Sequence, residues 1–457
     1  MQRQVPGGRE RFVVIGADAA GMSAASEARR VNAGLEIVAY DKGGFASYSQ
    51  CGLPYWLGGV VKRREQLLSR SVDSFAQRDI QVQLRHEVLA IDSQRQRVRV
   101  RNLESRTEFE EPYDQLLIAT GASPVELSFP GRDLLGVFSL DVMEDAIGIE
   151  AFLRTQRLTR VVIVGGGYVG LELAENFTRL GLQVALVQRS EQVFQSVDPE
   201  LAAALHGELE RNGVDVSFCE GIVQACAGQA ERVQEVQTTT GPLPAELVIL
   251  ATGVRPNVSL ADQAGVHLGE TGAIAVDSRL ATHTPGIYAA GDCAEHFHRV
   301  LRKGAWIPLG TTANKQGRVV GRNVAGGQAT FAGIVGTAVA KVFDLSVART
   351  GLNEREARAA GFDVETVVVE STDQAGYMPG SEKLTVKLVV ERESGRLLGG
   401  QAIGKQGADK RVDVLATALY AGLTVSQLEE LDLGYAPPFN SVWDPVQAAA
   451  TRLGRHR

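Results

Sequence analysis

Along the first half of the chain, short apolar runs repeatedly end in glycine and hand over to helical spacing. Arg11-Phe-Val-Val-Ile15 is apolar at nearly every position, which predicts a strand buried on both faces, as in a parallel sheet. Gly16-Ala-Asp-Ala-Ala-Gly21 follows, and Met22–Arg30, rich in good helix formers, predicts a helix. Leu35–Tyr40 predicts the next strand, ending at Asp41. The pattern then recurs. Arg160–Val164 reads as a strand, Gly165-Gly-Gly-Tyr-Val-Gly170 as a turn, the residues through Leu180 as a helix, and Gln183–Val187 as a strand ending at Gln188-Arg189. Two more runs, Leu116–Ile118 and Leu247–Leu250, lead into the matched segments Ala119-Thr-Gly121 and Ala251-Thr-Gly253, and each would return the chain from a βαβ unit. After Gly327 the pattern changes, with strand-like runs at 364–369 and 384–390 and a helix at 410–419.

A glycine turn between a parallel strand and a helix is a phosphate site. The missing side chains let backbone approach a pyrophosphate, and the helix N-terminus supplies free N–H groups and a positive dipole. An acid at the end of the following strand accepts from a ribose hydroxyl, and Asp41 stands there. The first turn departs from G-x-G-x-x-G by carrying Asp18 at its middle glycine; the second is complete. Two such turns in one chain predict two dinucleotides. In the second unit the acid is replaced by Gln188, beside Arg189 and Ser190. A carboxylate would repel a 2′-phosphate, whereas a neutral Gln next to an Arg accepts one, so NADPH is favoured over NADH there.

Composition narrows the class. The 457 residues carry 47 Lys+Arg against 54 Asp+Glu, a net charge of −7, which excludes an overall basic nucleic-acid-binding surface. With 44% hydrophobic and 22% charged residues, the chain reads as an ordinary globular protein. The 4 cysteines, Cys51, Cys219, Cys226 and Cys293, include no C-x-x-C pair, so neither a disulfide framework nor a zinc site is expected. His296 and His298 lack further ligands nearby, and no metal is expected. The polar N-terminus and the lack of a long apolar run point to no membrane partner and a cytoplasmic location.

With these motifs in place, the chain resembles the flavin- and pyridine-nucleotide-dependent disulfide reductases over nearly its whole length. Thr284–Asp292 resembles the segment whose Asp292 holds the flavin ribityl chain, and Leu309–Gly317 the helix start beneath the flavin. The resemblance implies an α/β fold with two Rossmann-like domains and a C-terminal α+β dimerisation domain. It divides the chain into an FAD domain at 10–149 and 254–327, an NAD(P)H domain at 150–253 and a dimerisation domain at 328–457. It implies FAD contacts from Gly16, Ala19, Ala20, Gly21, Asp41, Lys42, Thr120, Gly121, Gly291, Asp292, Thr311 and Ala313. Contacts to NADPH, or NADH, fall to Gly165, Gly167, Tyr168, Val169, Gly170, Glu172, Gln188, Arg189 and Gly253, with the Tyr168 ring gating access to the flavin.

Ser47-Tyr-Ser-Gln-Cys51-Gly-Leu-Pro-Tyr55 resembles the single-cysteine branch of that family. Ala46 stands where other members carry a second Cys, so no intrachain active-site disulfide forms there. The nearest likeness is to coenzyme A-disulfide reductases and NAD(P)H-dependent persulfide reductases, in which one Cys forms a mixed disulfide with the substrate thiol. Cys51, just before a helix with Pro54 near its first turn, is expected to have a lowered thiol pKa. The resemblance implies a homodimer in which Tyr377 and Tyr435 approach the partner's Cys. Ser47 is expected at the thiol-bearing arm of coenzyme A, and Arg30, Arg64, Arg302 and Lys303 are candidates for its phosphates. The peroxidase and oxidase members carry a His where this chain has Ala19, which makes peroxide or oxygen chemistry less favoured. Two other classes share the nucleotide motifs: an electron-transfer flavoprotein reductase, which needs none of Cys51, Tyr377 and Tyr435, and a dinucleotide sensor without catalysis.

Overall fold

The computed structural model describes residues 9–219, 221–227 and 231–454, and the Cys226 side chain lies outside the described set. Two parallel five-stranded sheets carry the two glycine turns. The first runs Ile287–Ala289, Gln115–Ile118, Arg11–Ile15, Glu36–Asp41, Ile80–Leu84 across its width. The second runs Asp215–Phe218, Gln183–Gln188, Arg160–Val164, Leu247–Leu250, Val137–Ser139. Their central strands are apolar throughout because helices cover both faces; Phe12, Val13 and Val14 are fully buried, as are Val162 and Ile163. In each sheet the strand order reverses beside the glycine-bearing strand, and that switch point is where open α/β sheets bind ligands.

The two units are joined by a pair of crossing segments. Ala122–Pro124 leaves the first sheet and Val254–Pro256 returns from the second, and they pair as an antiparallel ribbon. The helix Ala19–Val31 begins three residues before the Met22 start expected from composition, because the glycine turn itself winds into the helix. Helix Gly310–Val324 crosses it at close range. A Cβ on Gly317 would lie 2.2 Å from the Ala20 carbonyl oxygen, and one on Gly321 2.4 Å from that of Ala24. Alanine and glycine on the facing stripes are therefore what allow the two backbones to meet.

The C-terminal residues build an antiparallel sheet in the order Ala338–Val342, Leu345–Gly351, Leu397–Gly404, Lys383–Glu391, Val364–Thr372. Helix Ala408–Ala421 packs on it, framed by Gly407 and Gly422 in left-handed conformation at φ 76° and 74°. Lys387 is buried on this sheet and pairs with Glu354 at 2.9 Å and with Asp198 and Glu200, each at 3.1 Å, so it pins the second nucleotide unit to the C-terminal unit. Among the described residues no helix is long and apolar enough to cross a membrane.

Candidate active site

The two glycine turns are built alike. Gly16 has φ +105°, and a Cβ on it would stand 2.1 Å from the Ala119 carbonyl oxygen; Gly165 has φ +109°, with Ala251 in the same role at 2.2 Å. Gly21 and Gly170 let each helix sit on its own turn, since a Cβ there would be 1.9 Å from the Gly16 oxygen and 1.8 Å from the Gly165 oxygen. The residue ending the second strand ties the turn down in both units. Asp41 Oδ2 accepts from Ala17 N at 2.7 Å and its Oδ1 from Gly43 N at 2.7 Å. Gln188 Oε1 accepts from Gly166 N at 2.7 Å, while its amide donates to the Ser190 hydroxyl. Arg189 is exposed beside them. The middle positions differ. Among the described residues nothing approaches within 4 Å of the Cβ position of Gly167, whereas Asp18 fills the equivalent place in the first unit.

Both turns face one cleft of about 2630 Å³. Gly16, Ala19, Ala20, Asp41 and Lys42 line it from the first unit, with Thr120, Gly121, Gly291 and Asp292. Thr311 and Ala313 enter from the start of helix Gly310–Val324. Gly167, Tyr168, Val169, Glu172 and Gly253 enter from the second unit, and Ser47 and Cys51 lie between. Gly21, Gly165 and Gly170 sit behind the turns and act through packing. The chain fits a flavin dinucleotide at the buried acid beside the first turn. Asp292 Oδ1 is a buried acceptor with no hydrogen-bond partner among the described residues, as a site for ribityl hydroxyls requires.

Cys51 lies in the short turn Gln50–Gly52, ahead of a helix of only 5 residues, Leu53–Leu57. The lowered thiol pKa expected from a helix start is not what the structure produces. Enclosure at the cleft wall pushes the thiol up, and the carboxyls of Glu172, Asp292 and Asp18 add to it. One turn and a half of helix has too small a dipole to offset three acids. Each of those acids is itself perturbed. Burial, with Glu175 nearby, carries Glu172 to about 7 although the Tyr55 hydroxyl donates to it at 3.4 Å. Burial carries Asp292 to about 6. Burial, then the fields of Asp41 and Asp292, carries Asp18 to about 6 against the hydrogen bond it accepts from Tyr48 N at 3.1 Å. That bond joins the first glycine turn to the loop that carries Cys51. Cys219 and Cys293 are buried.

Several expected positions fall elsewhere. Arg64 is turned to solvent, pairs with Glu65 at 3.3 Å and does not line the cleft; Arg302 and Lys303 are also outside it. Arg30 does line it, paired with Glu27. The sequence missed the companions of Arg30. Lys315 and Arg318 on the crossing helix face the same arm of the cleft, beside Asn314, which accepts from the Ser23 hydroxyl at 2.7 Å. Burial works against a charge on Glu27, but Arg322, Arg30 and Arg318 outweigh it and hold that carboxyl below the usual range. The i, i+3 and i, i+4 spacing of Asn314, Lys315 and Arg318 is a legible one-face signal. Tyr377 and Tyr435 lie outside this chain's cleft, 73% and 47% exposed, with their hydroxyls hydrogen-bonded to each other. Phe439, Val442 and Trp443 are exposed in the same tail. Among the described residues no cluster of side chains could hold a metal ion.

Two nucleotide-binding sheets, one thiol where their turns meet and a third, antiparallel unit define a two-dinucleotide oxidoreductase. The family model described as pyridine nucleotide-disulphide oxidoreductase matches residues 10–317, and that for the dimerisation domain of the same family matches 337–446. The chain belongs to this family. It is 39% identical over 446 residues to the NAD(P)H coenzyme A polysulfide/persulfide reductase of Pyrococcus horikoshii, covering 97% of this chain and 98% of that protein. It is 33% identical over 439 residues to the coenzyme A disulfide reductase of Staphylococcus aureus, covering 95% and 98%. Among solved structures it is similar to an NAD-dependent persulfide reductase from A. fulgidus, with a TM-score of 0.94 and 38% identity over 98% of this chain and 83% of that one.

Proposed function

We propose that the protein uses NADPH to reduce coenzyme A disulfide, or a persulfide of the same carrier, through Cys51. The observation that carries this reading is the position of the Cys51 thiol. It faces the cleft between the two nucleotide turns, and Arg30, Lys315 and Arg318 line the same cleft. Coenzyme A carries a 3′-phosphate and a pyrophosphate, and three cations in the cleft that holds the thiol match that charge. FAD, when bound, supplies the hydride-accepting and electron-passing chemistry. Asp292 Oδ1 would accept from its ribityl hydroxyls, and the backbone of the Gly16–Gly21 turn would hold its phosphates.

The chain's own residues handle the thiol and its proton. The Cys51 proton must leave before attack, and Glu172, near neutrality, is the carboxyl placed to take it. The thiolate attacks one sulfur of the disulfide, forming a Cys51–S–S–CoA bond and expelling the other coenzyme A as thiolate. Overall, one NADPH and one proton convert one disulfide into two thiols. Gln188, neutral and hydrogen-bonded to the turn, leaves the 2′-phosphate to Arg189 and Ser190, which favours NADPH. Residues 10–149 with 254–327, 150–253 and 328–457 are read as the FAD, NADPH and dimerisation domains. The exposed Tyr377, Tyr435 and Trp443 are offered to a second copy of this chain, whose site they complete. A reducing compartment, the cytoplasm, suits free thiols.

The test is anaerobic NADPH oxidation by the FAD-loaded protein with coenzyme A disulfide. Wild type should turn over and Cys51→Ser should lose at least about a thousandfold, in line with losing a covalent nucleophile. Equal rates in both would end the single-thiol reading and leave an electron-transfer reductase.

A further inference from the structure

Tyr168 does not stand alone over the cleft. Its ring packs edge-on against Phe194, with centroids 4.6 Å apart, and its hydroxyl is in hydrogen-bonding reach of the Ser196 side chain. Phe194 and Ser196 belong to a strap, 194–198, that is fastened at both ends. At one end Phe194 N donates to the Gly166 carbonyl at 2.7 Å, on the second glycine turn, with Phe194 held in left-handed conformation at φ 50°. At the other, Asp198 is buried against Lys387 at 3.1 Å and accepts from the Gln401 amide at 2.7 Å.

The middle of the strap is gripped by the C-terminal unit. Arg349 donates through Nη1 to the Ser196 carbonyl at 2.8 Å, and Asn353 Nδ2 reaches the same oxygen at 3.4 Å. The Arg349 side chain is 9% exposed, and Glu356 fixes its fork with Nη1 at 3.1 Å and Nη2 at 2.8 Å. Both Arg349 and Glu356 line the cleft on the Tyr168 side. A planar guanidinium locked by two carboxylate oxygens is a rigid support, because its donors leave in fixed directions.

We propose that Arg349, held by Glu356, is the positioning residue that sets the rest position of the Tyr168 ring, so that the C-terminal unit governs entry of the pyridine nucleotide. This rests on the reading of Tyr168 as the gate. A dinucleotide entering the cleft must move the ring against a strap that cannot follow it. Loosening the strap lowers that cost and tightens nucleotide binding without touching the nucleotide turn.

The experiment is calorimetric titration of the FAD-loaded protein with NADP+, which binds without reducing the flavin. It uses Arg349→Lys, Glu356→Gln, Tyr168→Phe, Tyr168→Ala and the Arg349→Lys/Tyr168→Phe double variant. Hydrogen exchange at 194–198 is followed in parallel. Arg349→Lys keeps the charge and loses the fork, and Glu356→Gln loosens the same grip should the lysine variant fail to fold. Both are expected to speed exchange in the strap and to tighten NADP+ binding at least threefold. The double variant should bind no more tightly than Tyr168→Phe alone, since both changes release one ring. Unchanged or weaker binding in Arg349→Lys and Glu356→Gln, with Tyr168→Ala altered, overturns the proposal and leaves the gate standing. Unchanged binding in Tyr168→Ala removes the gate itself. Additive effects in the double variant also overturn the proposal, because the arginine would then act by another route.

Discussion

Asp18 is the residue by which the first glycine turn departs from its pattern, and its chemistry can be measured. Asp18→Asn removes the charge and keeps an oxygen to accept from Tyr48 N. In the folded chain burial lifts the carboxyl from 3.8 to about 6. The folded state therefore holds the Asp18 proton more tightly than the unfolded chain does. Above about pH 6 the folded protein carries the full cost of an ionised, poorly solvated carboxylate, about 3 kcal/mol for a gap of that size. The cost shrinks as pH falls through 6 and is about 1 kcal/mol near pH 4.5. Urea denaturation of the apoprotein should then find Asp18→Asn more stable than wild type by up to about 3 kcal/mol at pH 8, with the advantage narrowing toward pH 4.5. A bound FAD adds its own diphosphate charges to the same turn. Titration of apoprotein with FAD should show wild-type affinity weakening as pH rises above 6, by at most about tenfold per pH unit for one linked proton, with a flatter profile in the variant. Parallel pH profiles for the two proteins, in stability and in FAD affinity alike, would refute the reasoning.

Gln188→Asp places a carboxylate where the second unit has a neutral amide. It should shift the NADPH-to-NADH ratio of kcat/KM toward NADH by about ten- to a hundredfold, the range for a charge-assisted hydrogen bond lost and a like charge gained. Lys387→Met leaves Asp198 buried without its cation. It should destabilise the contact between the second nucleotide unit and the C-terminal unit by about 3 kcal/mol, seen as earlier cleavage in limited proteolysis. Glu172→Gln removes the carboxyl that acts most strongly on Cys51. Alkylation of Cys51 by iodoacetamide at pH 7.5 should speed up about threefold or more, since more of the thiol is ionised; an unchanged rate would mean that enclosure alone sets the thiol.

The parts of the molecule that could be read from the sequence are those whose signal is local. A buried parallel strand, a glycine turn and a helix are consecutive in the chain. Both dinucleotide units therefore appear in the residue pattern, as does the place of Gln188 at the end of the second strand, where it makes the same bond to its turn that Asp41 makes to the first. The features missed are assembled from distant segments. The residues around Cys51 read as a helix-start thiol, but its environment is set by enclosure in the cleft and then by Glu172, Asp292 and Asp18, on three other elements. Lys315 and Arg318 meet Arg30 only because Gly317 and Gly321 let two helices cross closely. Arg64 shows the converse. It is near Cys51 in sequence, yet the short turn Arg64–Leu67 carries it to solvent.

On the proposed reading a single thiol carries the chemistry. A pair of cysteines protects the reactive sulfur by closing a disulfide between them; Cys51 has no such neighbour, with Ala46 buried at the position in question. Burial first, and then the carboxyls of Glu172, Asp292 and Asp18, hold the thiol pKa up, and a protonated thiol is a poor nucleophile toward any passing oxidant. Activation must then come from what enters the cleft. On the proposed reading, ribityl hydroxyls donating to Asp292 would weaken part of that field from one side. On the same reading, a polyanionic substrate drawn to Arg30, Lys315 and Arg318 would bring its own sulfur to the thiol, and Glu172, raised to about 7, would take the proton. Glu172, Asp292 and Asp18, which hold the thiol pKa up, line the same cleft as Cys51, so whatever enters that cleft meets them first.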